Sequence, residues 1–143
     1  MKNIKICTLD YGSGNVGSVF NLLNNLKYNS KISNNPNDIK DSTHIILPGV
    51  GAFGESMKKI EKKISIKILE EEVLTNKKPF LGICVGMQVL AEKSSEFGEH
   101  KGFGWISGKV EKLKAKVLPH IGWNDVEIVK KSPLFSNLRN FQD

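Results

Sequence analysis

The sequence has few of the residues that define several common classes of protein. Its 143 residues include only two cysteines, Cys7 and Cys84, which lie far apart in the chain. That number does not make a disulfide framework, and the spacing does not suit a zinc site. No apolar run is long enough to cross a bilayer, and the first residues run directly into a strand pattern rather than a signal peptide. We therefore expect a cytoplasmic protein with no membrane contact, no metal and no cofactor.

Arginine is equally scarce, which bears on nucleic-acid binding. The formal net charge is +6, but Arg139 is the one arginine and the lysines are scattered among many asparagines. A nucleic-acid surface needs basic residues clustered on one face and interleaved with exposed aromatic residues. We attribute the charge to a composition rich in lysine and asparagine, and we predict no nucleic-acid partner.

Strand-like and helix-like patterns alternate along the chain. The strand-like segments are residues 4–9, 28–33, 43–48, 78–84, 104–113 and 120–129, and the helix-like segments are residues 16–26, 55–74 and 86–94. This alternation predicts a doubly wound α/β fold, with a mostly parallel sheet and helices on both faces. Sites in such sheets form at the carboxyl ends of the strands. Residues 132–143 show no closing strand and no capped helix, so we expect a single domain over residues 1–143 whose C-terminal part is missing.

A glycine pattern follows the first strand. Gly12, Gly14 and Gly17 form G-x-G-x-x-G at the start of a helix-like segment, where a dinucleotide-binding loop would lie. Such a site needs an acidic residue about 20 positions later, at the end of the second strand, to hold the ribose. That region reads KISNNPND, and Asp38 comes only after Pro36. We expect another use for this loop and keep nucleotide binding as an alternative.

The stretch FLGICVGMQ carries the strongest chemical signal. Cys84 stands between a strand pattern and a helix pattern, with Gly82 two residues before it and Gly86 two residues after it. This is the nucleophile-elbow pattern with cysteine in place of serine, and the glycines remove collisions in a tight turn. The start of a helix favours a thiolate, and the N–H of Val85 would face a developing oxyanion. A buried strand cysteine between two glycines is the plain alternative.

A second glycine-rich loop, LPGVGAFGES, follows the third strand. It has three glycines and no bulky polar residue before Glu55, so its N–H groups are free to approach a reacting atom. In elbow enzymes the second oxyanion donor comes from a neighbouring strand-end loop, which makes Val50 and Gly51 the candidates. A glycine-rich turn without catalytic use would show the same pattern.

A cysteine nucleophile normally needs a base, and the chain has three histidines. His44 lies inside a strand pattern, and His100 lies in what its composition indicates is a surface turn. His120, in LPHIGWND, is the remaining candidate base. None of them stands at a recognisable spacing from an acidic partner.

The segments PGVGAFGE, GICVGMQ and LPHIGWNDV, in this order, resemble the class I (triad) glutamine amidotransferases. Within that family they are most similar to the glutaminase subunits of imidazole glycerol phosphate synthases of histidine biosynthesis. The resemblance implies that Cys84 attacks the side-chain carboxamide of glutamine, giving a thioester and ammonia. It also implies that Val50 and Val85 form the oxyanion hole, that Gln88 holds the substrate, and that Glu96 faces the substrate's amino group.

The resemblance further implies a partner. Ammonia would pass to a (β/α)8-barrel synthase subunit in a heterodimer, and the loop with Asn15 would lie at the face that meets it. Trp123 and Asn124 join this expected interface, because an exposed tryptophan beside glycine has little to pack against. The alternative for Trp123 is a place in its own core.

The chain departs from the family in one respect. Members of the family complete the site with a histidine and a glutamate in a Phe-His-Pro-Glu-like motif, which is absent here. We therefore expect residues 1–143 alone to lack turnover and to be less stable than a complete relative. The alternatives are a related subunit that supplies ammonia to a different synthase, for example in surface-sugar biosynthesis, and a truncated interaction module without catalysis.

Overall fold

The computed structural model describes residues 3–115, 117–130 and 132–136. The chain divides into two compact units, residues 1–112 and residues 113–143. The strands of the first unit are β1 (Lys5–Leu9), β2 (Asn29–Ser33), β3 (His44–Gly49), β4 (Phe80–Cys84), β5 (Ala91–Ser94), β6 (His100–Lys101) and β7 (Ile106–Val110). Its helices are α1 (Val16–Asn25), α2 (Pro36–Asp41), α3 (Phe53–Lys63), α4 (Ile66–Glu70), which continues as a π-helical turn at Glu71–Thr75, and α5 (Val85–Gln88).

Four strands form a parallel sheet in the order β2-β1-β3-β4. The chain moves outward from β1 to β2 and then returns past β1 to β3, so right-handed crossovers place α1 on one face and α2 and α3 on the other. The packing of the core is consistent with this placement of the helices, since Ile6 and Ile46 pack with Leu23 of α1 on one face of the sheet. The larger cluster on the other face includes Cys7, Leu9, Ile39, Ile45, Leu47, Phe53, Met57 and Ile60. The predicted doubly wound α/β architecture is confirmed.

A second, three-stranded sheet has the order β6-β5-β7. It replaces the helix that the pattern predicted over residues 86–94, which is wrong beyond Gln88 because the chain turns into β5 at Ala91. The backbone of this segment bonds to distant residues, with Gly102 N–H on Glu92 at 2.9 Å and Ile106 N–H on Leu90 at 3.0 Å. These partners lie outside the local pattern, so tertiary pairing overrode the helical spacing.

The single helix predicted over residues 55–74 is also wrong, because the structure breaks it between α3 and α4. Ile64 is extended, with φ −118° and ψ 134°, and is 3% exposed. In one continuous helix Leu69 would lie about 140° around the axis from Ile64, outside the face of Ile60 and Ile64. The break lets all three side chains reach the core. Ser65 then begins α4 as its N-cap, a position that serine favours.

The described residues of the second unit contain one short 3-10 turn, Pro133–Phe135. The strand predicted over residues 120–129 is wrong, because these residues form no strand. An alternating pattern becomes a stable strand only with a partner, and the described part of this unit offers none. Throughout the described residues, no helix is both long and apolar enough to span a membrane.

Candidate active site

Cys84 lies where β4 ends and α5 begins, as the elbow pattern predicts. Its backbone has φ 56° and ψ −119°, in the positive-φ range that residues other than glycine rarely adopt. Such strain persists where the surrounding structure enforces it and is common at functional sites. The Cys84 side chain is exposed, so its sulfur is accessible to a small molecule.

The glycines on both sides of Cys84 are required by backbone crowding. A Cβ atom on Gly86 would overlap the carbonyl oxygen of Leu47 in β3. A Cβ atom on Gly82 would lie 2.5 Å from the carbonyl oxygen of Gly86 and 2.6 Å from the Cα of Met87. The turn therefore packs against itself and against β3, and neither position can carry a side chain.

The second glycine-rich loop, here called the oxyanion loop (residues 49–52), lies beside the elbow. Gly49 ends β3 and pairs in register with Cys84. A Cβ atom on Gly49 would lie 2.5 Å from the Gly86 nitrogen and 3.0 Å from the Val85 carbonyl carbon, so the loop touches the start of α5. Val50 is half exposed, and Gly51 has φ +94°. The fold thus brings the predicted oxyanion donors Val50, Gly51 and Val85 to one edge of the sheet.

The loop after β1, here called the glycine loop (residues 12–15), touches the oxyanion loop. The Ser13 hydroxyl donates to the Val50 carbonyl at 2.9 Å. A Cβ atom on Gly14 would lie 2.9 Å from the Pro48 carbonyl oxygen. Gly17, by contrast, has nothing within 4 Å of its Cβ position, whereas the third glycine of a dinucleotide loop permits close packing of helix on strand. This geometry disfavours the nucleotide alternative.

Asn15 has a structural role within this loop. Its side-chain oxygen accepts a hydrogen bond from Ser18 N–H at 3.2 Å and caps the start of α1. Asparagine is among the best residues for this position. The remaining amide nitrogen is at an exposed residue and is free to meet a partner surface.

The two predicted substrate residues line one cavity of about 510 Å³. Gln88 lies at the end of α5, and Glu96 follows β5. The cavity is also lined by Ser95, Phe97, Val110, Glu111 and Lys112. Cys84 is not among the lining residues in the part of the chain described, so the cavity opens beside the elbow's helix rather than at the sulfur.

Glu96 makes a contact that sequence analysis did not find. Its Oε2 accepts a hydrogen bond of 2.7 Å from Phe53 N–H, the first residue of α3. A carboxylate at a helix N-terminus is favourable because the N–H groups there are unpaired. Glu96 therefore holds Phe53, the residue that directly follows the oxyanion loop. An acidic residue 43 positions from the helix it caps leaves no local signal.

The three histidines lie in different parts of the chain and have different neighbours. His44 begins β3, at the end of the sheet opposite to Gly49 and Cys84, and its Nδ1 lies 2.9 Å from Thr43 Oγ1. His100 is not in a turn but in β6, half-buried, and a Cβ atom on Gly54 would lie 2.5 Å from its ring. His120, in the second unit, has its Nε2 3.0 Å from Asn124 Nδ2. Among the described residues of the first unit, neither His44 nor His100 is hydrogen-bonded to Cys84.

The two cysteines differ in their exposure to solvent. Cys7 is 1% exposed within β1, and its Sγ lies 3.8 Å from the Ser33 carbonyl oxygen. Burial, with the charge of Asp38 as a smaller cause, raises the pKa of Cys7 to about 11. Cys7 is thus buried and Cys84 exposed, so of the two cysteines only Cys84 is open to a substrate.

Trp123 and Asn124 belong to the second unit. Trp123 is 91% exposed, so it does not enter a core of its own unit. Asn124 is exposed as well and contacts His120 as described above. Both side chains are therefore available to a partner.

Comparison with known proteins agrees with this geometry. Residues 7–142 match the family model described as glutamine amidotransferase class-I. The "Imidazole glycerol phosphate synthase subunit HisH 2" of Vibrio vulnificus (strain YJ016) is 44% identical over 144 residues, which cover 98% of this chain and 67% of the relative. The "Imidazole glycerol phosphate synthase subunit HisH 1" of Campylobacter jejuni (strain 81-176) is 40% identical over 141 residues, covering 96% of this chain and 70% of the relative. The corresponding HisH subunit of Pelagibacter ubique (strain HTCC1062) is 40% identical over 145 residues, with 96% and 70% covered.

Proposed function

This chain belongs to the class I glutamine amidotransferases, and from that membership we propose that it is the glutaminase subunit of an imidazole glycerol phosphate synthase. The observation that carries the proposal is Cys84, exposed and held at positive φ beside a loop of backbone donors. Such a subunit hydrolyses glutamine to glutamate and ammonia, and the ammonia serves histidine biosynthesis.

The chemistry follows from the arrangement of the elbow. The thiolate sulfur of Cys84 adds to the carboxamide carbon of glutamine, and the carbonyl oxygen takes the negative charge. Backbone N–H groups of Val50 or Gly51 and of Val85 stabilise that oxygen, which is the largest single contribution in many acyl transfers. Collapse breaks the C–N bond and, with one proton, releases ammonia and leaves a thioester on Cys84. Water then hydrolyses the thioester to glutamate.

Substrate selection is assigned to the cavity beside α5. Gln88 supplies an amide to the substrate, and the free oxygen of Glu96 faces the substrate's amino group. Because the other oxygen of Glu96 caps α3, substrate and oxyanion loop share one carboxylate. The proton transfers require an acid–base group as well, and His44 is excluded from that role because it lies at the opposite end of β3.

The partner is proposed to be a (β/α)8-barrel synthase subunit. The relatives are named as subunits of a synthase, which supports a complex. Asn15, Trp123 and Asn124 are proposed to contact the barrel, and the support is their exposure. Two free cysteines fit the reducing cytoplasm, where we place the protein.

A chloroketone analogue of glutamine tests the site directly. We expect it to alkylate Cys84 and spare Cys7, with glutamine slowing the reaction, because of the two cysteines only Cys84 is exposed. Peptide mass spectrometry gives the rate at each cysteine. Cys84→Ser is the matched control and should abolish labelling. Equal labelling of both cysteines, or labelling that glutamine does not slow, would contradict the proposed function.

A test of Asn15 at the interface requires a variant that still caps α1. Asn15→Asp retains an oxygen for Ser18 N–H but loses the amide nitrogen, whereas Asn15→Ala loses both. If the amide contacts the synthase subunit, both variants weaken the complex; if Asn15 only caps α1, Asn15→Asp binds normally. Trp123→Ala should weaken binding by about 30-fold, as expected for a buried aromatic anchor. Leu134→Ala, an exposed apolar residue of the same unit, is the control, and calorimetry measures the affinities.

A further inference from the structure

Tyr11 carries a buried hydroxyl that the fold leaves without a partner. The side chain is 0% exposed, and its Oη makes no hydrogen bond to any residue that the structure describes. The Ser56 hydroxyl is close enough to lower the pKa of Tyr11 but does not have the geometry of a hydrogen bond. Buried phenol hydroxyls normally find a partner because an unpaired one costs free energy. A position that keeps one unpaired therefore needs an explanation.

The hydroxyl lies at the junction of the elbow and the oxyanion loop. A Cβ atom on Gly49 would lie 2.7 Å from Tyr11 Oη on one side and 2.5 Å from the Gly86 nitrogen on the other. Burial is the main cause that raises the pKa of Tyr11, and charge on Cys84 raises it further, which agrees with a short separation. Tyr11 therefore lies beneath the first residue of the oxyanion loop, on the buried side.

We propose that Tyr11 is a positioning residue for the oxyanion hole, whose hydroxyl donates to the Gly49 carbonyl when the Val50 N–H faces the substrate oxygen. The inference rests on the proposed function. The Gly49 carbonyl and the Val50 N–H belong to one planar peptide and point in opposite directions. When the N–H points outward to the substrate oxygen, the carbonyl must point inward, where a buried carbonyl needs a donor.

The unpaired state in this structure follows from the same geometry. Because Oη has no acceptor here, the Gly49 carbonyl is not directed at it. The hydroxyl then costs stability in the resting arrangement and stabilises the arrangement that holds the N–H on the oxyanion. Removing only this oxygen should therefore slow the reaction without weakening the fold, a pair of effects that a purely structural hydroxyl would not produce.

The test compares Tyr11→Phe with Tyr28→Phe in the intact protein. Tyr28 follows α1, is 43% exposed, and lies outside the site. Two reagents are used at Cys84. With the chloroketone analogue of glutamine, the thiolate sulfur adds to the ketone carbon and its oxygen takes negative charge. The sulfur then bonds to the chloromethyl carbon as chloride leaves, and its bond to the former ketone carbon breaks as the carbonyl group reforms. Iodoacetamide needs no oxyanion hole, because the sulfur displaces iodide directly at its methylene carbon.

The rate of labelling by the chloroketone is divided by the rate of labelling by iodoacetamide. This ratio reports on the oxyanion hole, because the reactivity of the thiol affects both rates. For Tyr11→Phe we expect this ratio to fall by about tenfold, the effect of one hydrogen bond, while the Tm stays the same or rises by a few degrees. Tyr28→Phe should leave both the ratio and the Tm at wild-type values.

Two results would overturn the inference alone: an unchanged ratio in Tyr11→Phe, or a lowered Tm with both reagents slowed equally. If the wild-type protein shows no glutamine-protected labelling of Cys84, the proposed function fails, and this inference fails with it.

Discussion

The turns that lead from β1 to α1 and from β4 to α5 have similar glycine patterns but different physical requirements. At the second turn, a side chain on Gly82 or Gly86 would meet backbone atoms that cannot move. At the first turn, Gly17 lies in open space on α1. The letters G-x-G-x-x-G suggest a more specific function than G-x-C-x-G does, yet the third glycine of that pattern is not crowded, whereas both glycines beside Cys84 are. Gly14 of the first turn is crowded as well, since its Cβ position lies 2.9 Å from the Pro48 carbonyl oxygen. A glycine motif is therefore informative only where the neighbouring backbone excludes a side chain.

The cysteines of the same two strands repeat this contrast. Cys7 points into the core from the middle of β1, whereas Cys84 stands at the exposed end of β4 with positive φ. The residue type is the same, and its position along a strand decides whether it packs or is open to react. Both turns contact the oxyanion loop, the first through the Ser13 hydroxyl and the second through the start of α5.

The largest effect should come from Gly86→Ala. The added methyl group overlaps the Leu47 carbonyl, so the elbow must separate from β3. We expect a loss of about 4 kcal/mol or more, which is a large part of the stability of a typical domain. Urea unfolding followed by circular dichroism measures it. A Gly86→Ala protein with wild-type stability would show that crowding does not distinguish the second turn from the first.

Stability at alkaline pH should depend on Cys7. Its folded pKa is about 11, against 9.0 for an ordinary thiol, so above pH 9 the unfolded state loses the proton first. The contribution of the protonated Cys7 thiol to the free energy of unfolding is therefore fully present below pH 9. It is lost as pH rises through 11, by about 3 kcal/mol at most. The difference between wild type and Cys7→Ala in urea midpoint should therefore shrink between pH 9 and 11. Ile6→Val, next to it in β1, should give a difference independent of pH; a constant difference for Cys7→Ala would contradict the prediction.

A smaller effect is expected where the first turn touches the oxyanion loop. Ser13→Ala removes the hydrogen bond to the Val50 carbonyl and should lower stability by about 1 kcal/mol, the usual net contribution of such a bond. Thermal unfolding measures the change. Ser18→Ala is the control, since its hydroxyl is not part of this contact and its N–H still bonds to Asn15. Equal loss in both variants would mean that the bond between the loops contributes nothing specific.

The smallest effect should have the opposite sign. Gly17→Ala places a methyl group in open space on α1 and should raise stability by about 0.5 kcal/mol, because alanine is the better helix former. Chemical denaturation in the same conditions as for Gly86→Ala completes the comparison. A destabilised Gly17→Ala protein would indicate that the first turn needs its third glycine, as a dinucleotide loop does.

Several features were predictable because their signals are local. The four parallel strands and α1 follow from apolar runs and helical spacing, and the elbow at Cys84 follows from two glycines at fixed offsets. The signals for α2 were equally local, with Asn35 as cap and Pro36 in the first turn, but only six residues form that helix and the sequence analysis did not find it.

Other features depend on residues that meet only in the folded chain. The bond from Phe53 N–H to Glu96 spans 43 positions, and the close approach of Gly49 to Tyr11 joins the end of β3 to the turn after β1. The break at Ile64 serves a core that collects residues from both helices. No pattern within a short window can predict such contacts, since each partner satisfies its own local preferences without the other.

The amino-acid sequence by itself determined the four parallel strands, α1 and the identity of the candidate nucleophile, because periodicity and glycine spacing act over a few residues. Only the tertiary structure decided that the oxyanion loop lies between the glycine loop and the elbow, that Glu96 bonds to Phe53 after it, and that Tyr11 lies next to Gly49. Parallel pairing of β1, β3 and β4 brings their carboxyl ends to one edge, and backbone crowding and unpaired polar groups arise only where these distant segments touch.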